Sequence, residues 1–353
     1  MKDWLESAEA IGAVDNILAN VGLTHGTRKT RTGAWKDGER VKRPRTSNPA
    51  SKKRKLGTPG VVSVPTFQAL LWLRAGFSTR QGGASTAYGD GELNLGWTRE
   101  DDPEIVAQNR RRFAQTVAGK SKFSLAVPRQ FHSNMVRIIE KDPDPLSEPD
   151  GKAALRGDAL MTDVSGILLG VQTADCIPVL IADKRTHAVA AFHAGWRGTL
   201  ARIVENGIGA MRLRYGSRPQ DLIAAVGPGI GACCYAVGEE VRFDFESQFA
   251  YAPSLFTEVY DSDPIREKYP LLFLTARAPG HSNIGPQIHI DLWEANRRQL
   301  LDAGIPAKNI TVVGECTGCS REKSGDRRYF SHRSEHGYTG RMMSVIGIHT
   351  SSK

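Results

Sequence analysis

The chain has no apolar stretch of bilayer-spanning length. The long uncharged run Leu222 to Gly238 is broken by Gly227-Pro228-Gly229 and Gly231. A membrane helix needs about 20 consecutive apolar residues, so no span is expected. Cysteine is scarce and odd in number, five in 353 residues. That excludes a disulfide framework and points to a reducing compartment. Histidine is also limited, nine in all with no His-x-His pair, an arrangement unsuited to a multicopper centre. No internal repeat is present. The opening Met1-Lys2-Asp3-Trp4-Leu5-Glu6 lacks the basic-then-apolar pattern of a secretory signal, and its early acidic residues disfavour a transit peptide. A cytoplasmic protein is the expectation.

Positive charge is what the chain has in excess, formally +9. It is concentrated: residues 28–55 hold twelve Lys/Arg against two Asp/Glu, a local +10, residues 1–27 carry −3, and 56–353 keep only +2. The main body is therefore not a generally basic nucleic-acid-binding surface. Residues 1–20 have the spacing of a short amphipathic helix. From Gly26 to Gly57 the chain is polar and poor in large apolar residues, so it buries too little surface to offset ordering entropy. A flexible basic arm over 1–60 and a catalytic domain over 61–353 follow. Lys42-Arg43-Pro44-Arg45 and Lys52-Lys53-Arg54-Lys55 are spaced like a bipartite nuclear-import signal. A solvated tail without a receptor, or one touching nucleic acid weakly, is the other reading.

Beyond Gly60, short apolar runs alternate with helical patterns. Val136–Glu140, Ala159–Thr162, Ile167–Val171, Pro178–Ile181, Ala188–Phe192 and Leu222–Val226 read as strands, and Ile310–Gly314 and Met342–Ile348 as closing strands. Thr199–Tyr215 reads as one helix, with Leu200, Ile203, Val204, Ile208 and Met211 on one face. Asp291 with Glu294 three residues on opens another, stopped by Gly304. The expected fold is α/β, a single mixed-sheet domain. The proline-punctuated stretch Phe245–Pro286 reads as an excursion on it.

Three segments place polar residues at strand ends, where ligands sit in α/β folds: Gln130-Phe131-His132-Ser133, Gln172-Thr173-Ala174-Asp175-Cys176, and Phe192-His193-Ala194-Gly195-Trp196-Arg197-Gly198. His132, Cys176 and His193 have the composition of a catalytic zinc site with an open fourth position. Packed residues with satisfied hydrogen bonds are the other reading. Gly227-Pro228-Gly229-Ile230-Gly231 lacks the spacing of a dinucleotide fingerprint. Cys316-Thr317-Gly318-Cys319 is half a zinc site or a redox pair, with no second Cys-x-x-Cys to complete it. Arg80, Arg333 and Arg341 could clamp an anion.

Taken in order, these segments resemble the YfiH-type family, laccase-domain or "polyphenol oxidase" proteins also described as purine nucleoside phosphorylases. The resemblance spans nearly all of residues 75–348. It rests on Gly76-Phe77-Ser78-Thr79-Arg80, Leu93-Asn94-Leu95-Gly96, Asp102-Pro103, Asn109-Arg110, Gln130-x-His132-Ser133, Gly157-Asp158-Ala159-Leu160 and Thr173-Ala174-Asp175-Cys176. His193-Ala194-Gly195-Trp196-Arg197-Gly198, Tyr235-x-Val237-Gly238, Ser331-His332-Arg333 and Thr339-Gly340-Arg341 complete it.

The resemblance implies that His132, Cys176 and His193 are the zinc ligands or catalytic trio beneath a purine-nucleoside pocket. It implies phosphorolysis of adenosine, inosine, guanosine or methylthioadenosine to base and ribose 1-phosphate, with phosphate as co-substrate. Adenosine deamination is a further implied activity. On this reading Arg80 and the Arg333 loop hold phosphate against C1′, Arg341 contributes to substrate binding, and Asp175 assists protonation of the departing base. One departure stands out: where the family carries two arginines and an aspartate, this chain has Arg333-Ser334-Glu335, losing one cationic donor for which Arg327-Arg328 is a candidate replacement. Three other functions remain open: a copper-dependent polyphenol oxidase, since a His2Cys set also suits a blue-copper centre; a hydrolase editing peptidoglycan precursors; and a nuclear, nucleic-acid-associated protein acting through its arm.

Overall fold

In the computed structural model, residues 56–140, 155–259 and 287–349 are described, all within a compact unit Lys55–Lys353. The expected N-terminal helix and basic clusters fall on residues 1–55, outside the described residues, as does 260–286 of the expected excursion. At the start of the described body, the Gly60 N–H donates to the Gln81 carbonyl at 3.2 Å.

The strands are β1 (Val61–Val62), β2 (Leu73–Ser78), β3 (Gln81–Ser85), β4 (Ser124–Ala126), β5 (Val136–Ile138), β6 (Ala159–Thr162) and β7 (Ile167–Thr173). They continue as β8 (Ile177–Asp183), β9 (Val189–Ala194), β10 (Leu222–Val226), β11 (Ala236–Val237), β12 (Phe256–Val259), β13 (Gln287–Ile290), β14 (Ile310–Val312) and β15 (Met342–Ile348). The helices are α1 (Pro65–Gln68), α2 (Pro103–Ala118), α3 (Trp196–Leu200), α4 (Ile203–Tyr215), α5 (Glu239–Gln248) and α6 (Leu292–Asp302). Instead of one sheet there are three: β1-β2-β15-β7-β4, β14-β10-β8-β9-β6-β5, and the small β11-β13-β12. Both large sheets are mixed, with β4 parallel to β7, β5 to β6 and β10 to β14 among otherwise antiparallel pairs.

The two large sheets pack face to face, which explains their near-continuous apolar runs. Leu180, Ala182, Val189, Ala191, Ile223 and Ala225 of the six-stranded sheet meet Leu169, Val171, Ile346 and Ile348 of the five-stranded sheet. The alternate residues Val179, Ile181, Ala190 and Phe192 face α4 and α6 through Ile203, Val204, Ile208, Leu292 and Leu300. On the far side, Leu168, Met343 and Val345 cover Phe113 of α2. A strand buried on both faces loses period-2 alternation, so its sequence announces a strand without saying which sheet it joins.

The expected Thr199–Tyr215 helix is two helices. Arg202 adopts φ 56° between α3 and α4, held by an ion pair to Glu205 at 2.8 Å and by packing over the Phe249 ring at 4.3 Å. Apolar periodicity runs through this break because both pieces bury the same face. The Asp291 cap holds, its side chain accepting from the Glu294 N–H at 3.0 Å. Among the described residues no helix is long and apolar enough to cross a membrane.

Candidate metal centre and its cleft

β7 and β8 lie in different large sheets, so Ala174-Asp175-Cys176 crosses the sandwich at one end. Asp175 turns this corner at φ 93°, a conformation that costs a non-glycine residue energy and persists only when surrounding bonds hold it. Its Oδ1 accepts from Thr317 Oγ1 and its Oδ2 from the Arg333 N–H, both at 2.7 Å. Cys176 then leads into β8, and the neighbouring β9 carries His193 opposite Pro178. His132 arrives from the β4–β5 loop with φ 63°.

The loop bearing His132 is pinned to both sheets. On one side the Gln130 side chain pairs with β7, donating to the Gln172 carbonyl and accepting from its N–H, each at 2.7 Å. On the other stands Asp158, fully buried before β6. Its carboxylate accepts from the backbone N–H groups of His132 at 3.0 Å and Ser133 at 2.7 Å, and from the Ser133 hydroxyl at 2.7 Å. The same carboxylate lies 2.9 Å from His193 Nδ1. That contact fixes the ring and leaves Nε2 as the candidate donor, the arrangement a carboxylate provides behind a ligating histidine.

The candidate ligand atoms of His132, Cys176 and His193 all lie within 4.8 Å of one another. Cys176 Sγ is 3.8 Å from His132 Nε2, and the two imidazoles meet edge to face with centroids 4.9 Å apart. A Cβ on Gly195 would stand 2.9 Å from Cys176 Sγ and 3.0 Å from His132 Cδ2, so only glycine permits this convergence. Burial pushes the Cys176 thiol up, but the charge of His193 and the bond to His132 bring it down to about 6, the thiolate side of neutrality. Burial lowers His193, yet the Cys176 thiolate and Asp158 carry it up to about 9. For Asp158, burial is outweighed by the His193 ring and the Ser133 donors, which hold the carboxyl at about 2. Two imidazoles and an acidified thiol form a three-donor set suited to zinc, with a fourth position open to solvent or substrate.

The trio sits in a cleft of about 500 Å³ that is also lined by Arg110, Arg129, Arg197, Arg333 and Arg341. Trp97, Trp196 and Tyr235 contribute flat walls. Arg333 donates to the Ala236 carbonyl at 2.8 Å and lies 5.1 Å from the centre of the Tyr235 ring. Arg341 donates to the carbonyls of Thr339 and Gly340 at 3.0 and 2.9 Å. Arg110 is buried, stacks on Trp97 at 4.5 Å and donates through Nε to the Leu95 carbonyl, while its Nη2 has no partner among the described residues. Burial pulls its pKa well below the arginine range, so an anion at that free end would relieve an uncompensated charge.

Arg80 does not join them. It lies outside the cleft lining, with its guanidinium bound to Glu92 at 2.6 Å and Glu335 at 3.0 Å and stacked on Phe330 at 4.5 Å. A guanidinium saturated by two carboxylates has nothing left for phosphate, so the expected phosphate contact is replaced by a loop-pinning one. This pairing also gives Glu335 of the departing Arg333-Ser334-Glu335 run its place. Arg327 donates to the Gly318 carbonyl at 3.1 Å and does not line the cleft either. Sequence reasoning quoted Asp158 and Arg110 only as parts of motifs and missed their roles; their signal was a charged residue immediately before a buried strand and another on the buried side of a helix.

Residues 74–349 match the family model described as multi-copper polyphenol oxidoreductase laccase. The chain is 33% identical over 274 residues to "Purine nucleoside phosphorylase YlmD" of Geobacillus stearothermophilus, covering 77% of this chain and 89% of that protein. It is 33% identical to "Adenosine deaminase RL5" from an unknown prokaryotic organism, covering 75% of this chain and 92% of that protein. Among solved structures, the YfiH protein of Bacillus licheniformis superposes with a TM-score of 0.67 at 29% identity, over 82% of this chain and 96% of that one.

Proposed function

The chain belongs to the laccase-like YfiH family, and from that premise we propose that it is a zinc-dependent purine nucleoside phosphorylase with adenosine deamination as a second activity. The observation that carries the reading is the convergence of His132, Cys176 and His193 at one wall of an arginine-rich cleft. Relatives named for phosphorolysis and for deamination support the pairing of activities.

His132, Cys176 and His193 would hold the zinc, and the donor set fits that ion: a thiol poised as thiolate, and an imidazole whose tautomer Asp158 fixes. Zinc, when bound, supplies Lewis acidity and a lowered pKa for nearby water. The remaining roles fall to the protein. Arg341 and Arg333 gather phosphate, with the buried Arg110 adding positive charge behind them, while Trp97, Trp196 and Tyr235 offer surfaces for a purine. In phosphorolysis a phosphate oxygen bonds to C1′ of the ribose as the C1′–N bond breaks, and the base nitrogen takes up the proton given up by the attacking dihydrogen phosphate, directly or through water. Asp175, with both oxygens engaged, acts as a positioning residue that orients Arg333 rather than as the proton donor.

Incubation of purified protein with inosine and with adenosine, each with and without phosphate, tests the proposal by chromatography. Phosphate-dependent free base and ribose 1-phosphate, and inosine from adenosine, are expected. Stoichiometric bound copper with phenol oxidation and no nucleoside turnover would overturn it.

A further inference from the structure

The other four cysteines meet at a second place. Cys233 and Cys234 lie between β10 and β11, and Cys316 and Cys319 follow β14. Parallel pairing of β10 with β14, extended by a bridge between Gly229 and Cys316, brings the two loops together. The four sulfurs all lie within 4.8 Å of one another, with Cys233 and Cys319 at 3.6 Å, and every one is a free thiol. Around one tetrahedral ion with metal–sulfur bonds of about 2.3 Å, sulfurs stand roughly 3.8 Å apart, a spacing this cluster already approaches.

Three further features favour an ion over accidental crowding. The Gly231 N–H donates to Cys316 Sγ at 3.3 Å, and the N–H groups of Gly318 and Cys319 face the same sulfur; such donors stabilise thiolate and orient it as a ligand. A Cβ on Gly318 would stand 2.9 Å from Cys234 Cβ and 3.1 Å from its sulfur, so glycine is what admits the second loop. Finally, Cys316-Thr317-Gly318-Cys319 ceases to be half a site. Its missing partner is an adjacent pair rather than another Cys-x-x-Cys, with 86 positions separating Cys233 from Cys319.

We propose that Cys233, Cys234, Cys316 and Cys319 form a closed tetrathiolate site for a zinc-class divalent cation. Four protein donors leave no position for substrate, so its task is to staple two loops. Those loops matter to the cleft: one continues into Tyr235, and the other carries Thr317, whose hydroxyl holds Asp175.

The test uses the full chain, purified under reducing conditions without chelator, with metal content measured by mass spectrometry and again after cobalt replacement. Zinc retained by His132→Ala and lost as one equivalent from the Cys233→Ser/Cys319→Ser double variant is the expected result. The cobalt-loaded protein should show sulfur-to-cobalt charge-transfer absorption whose larger part survives Cys176→Ala and is lost in the double variant, which keeps only the weaker Cys176 contribution; in a Cys176→Ala background the double substitution removes the band altogether. Metal content and spectrum unchanged by the double substitution, or a Cys233–Cys319 disulfide in the freshly isolated protein, would overturn the proposal. If the double variant does not fold, alkylation of the wild type decides: four thiols must be shielded until a chelator is added, and free reaction beforehand refutes the site.

Discussion

The two cysteine-bearing clusters differ in what holds them. His132, Cys176 and His193 are referenced to strand ends, with Asp158 fixing one imidazole and the loop of another, and their donors face a cleft. The four-thiol cluster rests on two loops, receives only backbone N–H groups, and spends all its donors on closure. Strand ends give the precision that chemistry needs, whereas loops gain definition from what they jointly bind. The difference is between a site that the fold orders and a site that orders the fold.

The largest expected effect separates them outright. Cys176→Ala should abolish nucleoside turnover, while Cys319→Ser should retain most turnover at low temperature and instead lower the melting temperature. Equal loss of turnover in both folded variants would erase the distinction. Next comes Asp158→Asn, which keeps the shape but weakens the hold on His193. Metal competition titration should show a fall in affinity of about 10–100-fold at the three-donor site, with the cobalt–thiolate absorption of the other cluster untouched. Arg341→Ala should raise the KM for phosphate by roughly tenfold, equivalent to about 1.5 kcal/mol for a charged hydrogen bond, with the KM for nucleoside little changed in steady-state kinetics.

The smallest effect concerns a carboxylate that serves the scaffold alone. Asp183 closes the β8–β9 connection by accepting from the N–H groups of Arg185 and Thr186 at 2.8 and 3.1 Å. Burial raises its pKa, but the Ser217 hydroxyl and these N–H donors leave it below the ordinary value. A carboxyl depressed in the folded state contributes stability above its unfolded pKa and loses it as the pH falls through the folded one. Asp183→Asn should therefore flatten the decline in denaturant midpoint below about pH 4 and leave metal binding alone.

Much of this was legible in the chain. Ala159–Thr162, Leu222–Val226 and Met342–Ile348 appear with the boundaries their apolar runs imply, because residues buried on both faces leave little ambiguity about extent. The trio of donors was legible because each stands at a strand end or sharp turn. The division into two sheets was not, since pairing partners are chosen by contacts distant in sequence. Arg80 and Arg110 look alike as residues, yet one is saturated by carboxylates and the other retains a free Nη2. Only packing separates them. Of the four thiols the sequence offered only the Cys316/Cys319 half, because parallel strands, rather than short spacing, bring Cys233 and Cys234 to it.

The face-to-face sheets have one more consequence. The candidate metal donors are tied to the six-stranded sheet through β8, β9 and Asp158, whereas Gln172 belongs to β7 and Arg341 immediately precedes β15 in the five-stranded sheet. The cleft thus has two jaws, and the interior layer of Leu169, Val171, Leu180 and Ala191 sets the gap between them. Thinning or thickening that layer would change the length of molecule that fits across the jaws without altering any residue it touches. The width of this cleft is gauged by a caliper whose spacer is the hydrophobic core.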